Sequence, residues 1–308
     1  MLVSELLDAP QTEAQPRPPR VLDSLARLKQ RADEAKARSE QLAARSPVQL
    51  FLPGMDDLMR AMPNQVARSS LFAPIARGRR KQHNETPLVT RADAVMSYTG
   101  EQLDEADADI ALQLIFEARA RPLGQPVTVN RAALLRAMGR HTSASQYQWL
   151  MKRMKALKTA TLFVETKRPD GSIKYRVGHV EAFNIVQHFA YDPAIEAYTF
   201  TLDPRWAALF GNREYALLDW EKRKQIGRGQ DMAKALQRLV ATSCDLIQRY
   251  SLEWLKEKMQ YTGRMRDFRD AVTRSALELE RLDIIASSKV EVSTKGREQL
   301  SMWLTASA

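Results

Sequence analysis

Two stretches of this 308-residue chain combine cations with short polar side chains at helical spacing. Lysine and arginine reach phosphates, and serine, threonine and glutamine reach base edges, so the chemistry offered is recognition of nucleic acid. In Ser143–Lys158, an apolar stripe of Tyr147, Leu150, Met154 and Leu157 needs a core to pack on. The opposite face carries Ser145, Gln148, Trp149, Lys152 and Lys155. From Arg140 to Lys158 there are five Lys/Arg and no acid. In Arg264–Leu282, Phe268, Val272, Leu279 and Leu282 form the stripe; Arg264, Arg266, Asp267, Asp270, Thr273 and Arg274 lie away from it, and Arg269 joins the candidate contacts. Arginines at a helix N-terminus oppose its dipole, a cost that phosphates or guanine edges would offset. Glu278 and Glu280 dilute this second signal. A third basic point is the turn Lys167-Arg168-Pro169-Asp170-Gly171, placed to touch a backbone or minor groove. For each, an ordinary solvated face or turn is the competing reading.

The whole chain is basic, with Lys+Arg 47 against Asp+Glu 37, a net charge of +10 and a pI near 9.7. Such an excess suits a polyanionic partner, or a basic surface kept for solubility. Catalysis has no visible carrier. No G-x-x-x-x-G-K-[ST] phosphate loop occurs, and Gly227-Arg228-Gly229 lacks the rest of a nucleotide fingerprint. His83, His141, His179 and His188 form no metal-binding pattern around a tyrosine nucleophile, and Tyr147, Tyr191 and Tyr198 read as core or strand residues. Asp104, Asp107 and Asp109 stand at a helix start and read as partners of its dipole. The single cysteine, Cys244, excludes an internal disulfide and reads as a buried structural thiol in an apolar helical stretch. No enzyme activity, cofactor or metal is expected. The sequence lacks a run of eighteen apolar residues and the order of a signal peptide, which places the protein in the cytoplasm with no membrane partner.

The elements needed to carry these faces are legible in outline. Residues 9–20 are proline-rich, 21–44 form a weakly amphipathic helix, and the first 90 residues read as a flexible N-terminal arm with docking segments. A strand at Val95–Tyr98 and an acidic helix at Asp104–Arg119 come after it. Val127–Val129, an Asn130-capped helix over 131–138 closed by Gly139, and a Ser143-capped helix to Lys158 come next. Strand segments then run from Thr161 to Leu202. The order recurs with helices at 204–210, 214–223, 230–248, 252–259 and 264–282, a closing hairpin at 284–293 and a short terminal helix. The expected fold is α+β, with two tandem winged-helix (helix-turn-helix) domains at 91–202 and 203–308 after the arm.

Several blocks resemble the TrfA replication initiators of broad-host-range plasmids. They are Asp57–Phe72 (DLMRAMPNQVARSSLF), Ser97-Tyr98-Thr99-Gly100-Glu101-Gln102-Leu103, Pro122–Thr128 (PLGQPVT) and Arg176–Glu181 (RVGHVE). Tyr147, Leu150, Leu157 and Thr159 fit the spacing of the family's first reading helix. The similarity runs from about Gln49 to Val292, and its most specific part is the RAMPN-x-x-ARS-x-LF block. It implies a plasmid replication initiator of bacterial cytoplasm. Such a protein binds double-stranded origin repeats (iterons), helps to open adjacent A·T-rich DNA and holds single strand. It recruits host helicase, host initiator and the sliding clamp. It acts as a monomer on DNA, with an inactive dimer serving copy control. The family's clamp-docking pentapeptide has the form Q-L-[SD]-L-F. Gln49, Leu50, Phe51 and Leu52 occupy its place here, with Pro53 where the terminal aromatic belongs. The alternative function is a winged-helix transcription regulator, which would share the basic faces but not open DNA.

Overall fold

The computed structural model describes residues 30, 52, 55–75, 80–91, 94–167, 173–177, 183–211 and 214–305. The chain divides into a unit at 1–48 and one at 49–308, and every strand and helix from Met59 onward lies in the second.

The first strand of that unit, β1 (Met59–Pro63), pairs antiparallel with the distant β10 (Tyr215–Asp219). A short helix α1 (Asn64–Arg68) comes directly after β1. Ala61, Met62, Val66, Ala67, Leu71 and Phe72 are almost wholly buried. The sequence suggests a flexible arm for this stretch, and it is part of the core instead. Its apolar pairs are too short to show a period and become buried only through a long-range partner. Arg60 illustrates the packing: its guanidinium carbon lies 3.5 Å from the Phe116 ring centre, and its Nε donates to Gln113 at 2.9 Å.

A four-strand path, β2 (Gln82–Pro87), β3 (Ala94–Glu101), β5 (Thr161–Lys167) and β6 (Ile173–Val177), carries the two-residue β7 (Phe183–Asn184) on β5. A second sheet has the order β4 (Val127–Asn130), β9 (Ala197–Leu202), β8 (Val186–Asp192). Three helices serve these sheets: α2 (Glu105–Ala118), α3 (Arg131–Ala137) and α4 (Ala144–Thr159). The expected caps form. The Asn130 side chain accepts from the amides of Ala132 and Ala133, and Ser143 from that of Gln146. Gly139, at φ +69°, turns the chain between α3 and α4 where a side chain would be strained.

Beyond α5 (Trp206–Phe210) and β10 come α6 (Trp220–Gln225) and α7 (Asp231–Val240). Then come β11 (Ile247–Ser251), α8 (Leu252–Lys258) and α9 (Met265–Arg281), closed by β12 (Ser287–Val292) and β13 (Glu298–Trp303). The last sheet has the order β11-β13-β12. Four elements of this half differ from expectation. Residues 215–219 are strand rather than helix, the helix expected to reach 248 stops at Val240, the closing hairpin expected at 284–293 is formed by 287–292 and 298–303, and the last described element is β13 rather than a helix. In the first two cases a short strand finds its partner far away, Tyr215 opposite Pro63 and Tyr250 opposite Leu300, and this tertiary pairing overrides local pattern.

Two apolar cores result. One gathers residues from Leu52 to Trp220, including Phe72, Leu114, Leu150, Tyr198 and Trp206. The other runs from Ile226 to Met302, including Leu236, Leu255, Phe268 and Leu279. A boundary at 202/203 would cut through the first core, which also takes in α5 and β10.

Candidate nucleic-acid interface

Helix α4 buries Leu150, Met154 and Leu157 completely and turns Ser145, Gln148, Lys152 and Lys155 to solvent, as does its cap Ser143. The partition follows the 3.6-residue period of the sequence. Trp149 is half-buried because Arg140 covers it, with the guanidinium carbon 3.7 Å from the ring centre. Arg140 Nε donates to Gln146 Oε1 at 3.1 Å, so the turn residue is tied to the first turn of α4. Burial holds its pKa below the usual arginine value. Tyr147 packs against the first core from its edge, as a partly buried side chain. It is half-exposed beneath Arg131, whose guanidinium carbon is 4.0 Å from its ring centre. Gln148, Met151, Lys152 and Lys155 join Tyr147 and Arg131 along a groove of about 610 Å³.

Arg153 is the exception among the cations of this stretch. It is buried, and it donates to both oxygens of Asp107 and to Glu101. The face offered to a polyanion is therefore Arg140, Lys152, Lys155 and the half-exposed Lys158.

On α9 the cations are more committed. Arg264 stands at the N-cap with no capping side-chain bond and pairs with Asp267 at 3.0 Å, and Arg269 pairs with Glu298 of β13. The Thr273 hydroxyl donates to the Arg269 carbonyl at 2.8 Å. Arg266 and Arg274 are exposed and make no ion pair among the described residues. The β12–β13 hairpin adds exposed Lys289, Lys295 and Arg297, which were not among the expected contacts. Their signal was available, as basic residues flanking the tight turn that Gly296 allows at φ +73°.

The other expected site residues divide. Lys167 ends β5, opposite Ile173 of β6, while Arg168 and the turn after it lie outside the described residues. So do Gln49, Leu50 and Phe51 of the pentapeptide. Leu52 is 4% exposed and belongs to the first core, so it is not presented for docking. Cys244, expected buried, is exposed in the connection between α7 and β11. Among the described residues, no three His, Cys, Asp or Glu side chains converge as metal ligands would, and no helix is long and apolar enough to cross a membrane.

The acids at the start of α2 do far more than offset a dipole. Asp104 and Asp107 form a reciprocal capping box. Asp107 also holds Arg153 and Arg80, Glu105 holds Arg223 and Arg238, and Asp109 holds Arg223 and Lys234. Burial raises the Asp109 pKa, but Arg223 and Lys234 outweigh it and the net shift is downward. Asp104 goes the other way, to about 6, through burial and the charge of Asp107, with Arg80 opposing. The basic partners lie 24 to 133 positions away, so only the fold identifies them.

The family model described as TrfA protein matches residues 26–243. The plasmid replication initiator protein TrfA of Escherichia coli is 26% identical over 176 residues, 55% of this chain and 44% of that protein. The match thus spans less than half the length of that curated relative. Crystal structures of domains 2 and 3 of RctB superpose with TM-scores of 0.48 and 0.46, both at 10% identity. They cover 79% and 78% of this chain, and 98% and 96% of theirs.

Proposed function

This chain belongs to the TrfA protein family, and we propose that it is a plasmid replication initiator that binds repeated origin sequences in double-stranded DNA. The observation that carries the reading is the outward face of α4. Ser145, Gln148, Lys152 and Lys155 are exposed there, no acid stands among them, and Arg140 is fixed over Trp149 at the turn before.

In this reading α3, its turn and α4 form a helix-turn-helix, with the β5–β6 hairpin as wing. Helices α8 and α9 with the β12–β13 hairpin form a second such unit. A reading helix enters the major groove with its early polar residues against base edges. Ser143, Ser145 and Gln148 take that role, and Lys152, Lys155 and Arg140 meet phosphates. In the second unit Arg266 and Arg274 are the cations open to DNA, with Lys289, Lys295 and Arg297 beside the backbone. Arg264, Arg269 and Thr273 contribute only by giving up their internal partners.

The chain acts by binding rather than by catalysis. Bound to its repeats, it helps open the neighbouring A·T-rich DNA in a bacterial cytoplasm and brings in host helicase, host initiator and clamp. Clamp docking through residues 49–52 would require Leu52 to leave the core. A monomer is the DNA-bound form and a dimer the inactive one.

The test is replication in trans. The chain is supplied to cells carrying a selectable plasmid with its repeat-bearing origin and no other initiator. Stable transformants, lost when Lys152 and Lys155 are both changed to Gln, support an initiator acting through α4. Tight repeat binding in a gel shift without transformants would instead favour a transcription regulator.

A further inference from the structure

We propose that the first turns of α2 are an electrostatic coupler that fixes the two DNA-reading units relative to each other, so that the chain accepts one spacing between two half-sites. The inference rests on the two-unit reading of the proposed function.

Residues two apart on a helix point to opposite sides, and residues four apart share a side. Asp107 therefore faces one way, and Glu105 and Asp109 the other. On the first side Asp107, wholly buried, takes Arg153 Nε at 2.5 Å and Nη2 at 2.9 Å. Arg153 projects from the inner face of α4, on the side away from Gln148 and Lys155. On the second side Glu105, also wholly buried, takes Arg223 Nη2 at 3.0 Å and Arg238 Nε at 3.2 Å. Asp109 takes Arg223 Nε at 2.6 Å and Lys234 Nζ at 2.5 Å. Lys234 and Arg238 project from α7, and α7 packs on α9. One turn of one helix thus grips the backs of both reading helices, directly at α4 and through α7 at α9.

The apolar cores of the two units are separate. Further bonds crossing between them are also polar: Lys258 Nζ to the Ser69 carbonyl at 3.1 Å, Gln260 Nε2 to the Ser70 carbonyl at 2.8 Å and Trp254 Nε1 to the Thr90 carbonyl at 3.3 Å. A buried ion pair out of register leaves charges unpaired, which is strongly destabilising. A network of this kind stores geometry more than it stores stability. DNA converts geometry into spacing, because each added base pair both lengthens the site and rotates its far half.

The experiment is selection of bound sequences from a random duplex pool, read by sequencing. The native chain is compared with Glu105→Gln/Arg238→Met, which removes a buried pair with little change of volume. Circular dichroism reports the fold of each. The native chain should enrich two sequence blocks at one spacing. The variant should enrich the same two blocks over several adjacent spacings, with the preference for the native spacing reduced about tenfold. If the first pair does not fold, Asp109→Asn/Lys234→Met, at the more open end of the network, gives the same comparison. A folded variant that keeps the single spacing overturns the inference. A native chain that enriches no bipartite site removes the two-unit reading itself, a failure distinguishable because it appears before any substitution.

Discussion

Asp107 binds Arg153 through both carboxylate oxygens, with both side chains at most 2% exposed. The cation therefore belongs to the fold rather than to the outward face of α4, although it sits in a stretch with no acid from Arg140 to Lys158. Arg153→Met leaves Asp107 buried beside Arg80 alone. Removing one partner of a buried pair typically costs about 3–5 kcal/mol. Urea unfolding of Arg153→Met should show a loss of that order, and Asp107→Asn in the same chain should recover part of it. A loss under about 1 kcal/mol, as exposed pairs give, would mean the pair is not structural.

Lys152 and Gln148 are one turn apart on the exposed face and should separate affinity from specificity. Lys152→Ala would remove the proposed phosphate contact and should reduce the slope of log affinity against log salt by about 0.9. Its stability should stay within about 0.5 kcal/mol of the native chain, as at other exposed positions. Gln148→Ala should leave the salt slope alone and change base preference at one position, by about 1–3 kcal/mol. Equal losses on every sequence from both variants would sink this division of roles.

Helix α4 was legible because period, cap and turn agree: Leu150, Met154 and Leu157 face in, Ser143 caps, and Gly139 lies between the helices. Helix α9 was legible from its period and the preceding turn, without a side-chain cap: Phe268, Val272 and Leu279 face in. What the sequence hides is long-range pairing. Strand β10 has five residues and follows no local rule that separates it from α6, and only β1, some 150 positions earlier, makes it a strand. The same holds for charge. Arg153 and Lys152 are neighbours of the same sign, and their opposite fates depend on Asp107, 46 positions away from Arg153. A basic run can be recognised from sequence, but which of its cations is spent inside cannot.

Cys244 tests the connection between α7 and β11. A helix to residue 248 would have buried the thiol, whereas the helix stops at Val240 and leaves it exposed. A thiol-reactive dye should label the folded chain at a rate close to that of the unfolded chain. Cys244→Ser should leave the unfolding midpoint and DNA affinity unchanged. Labelling that requires denaturant would restore the buried reading.

Lys258 should make stability depend on pH in the alkaline range. It is 1% exposed, its ammonium donates to the Ser69 carbonyl, and burial followed by the charge of Arg238 lowers its pKa to about 7, with Glu105 opposing. In the unfolded chain the group titrates near 10.5. Between about 7 and 10.5 the unfolded state therefore binds more protons than the folded one, and stability rises with pH across that window. Below about 7 both states are charged, and the cost of burying the ammonium is fully present. Lys258→Met, of similar length and without charge, should flatten the rise and stabilise the chain at pH below 7. The gain is partly offset because the Ser69 carbonyl loses its donor. Unfolding free energies measured in urea from pH 6 to pH 10 give the answer. If native and variant curves stay parallel over that range, Lys258 is not the group that titrates.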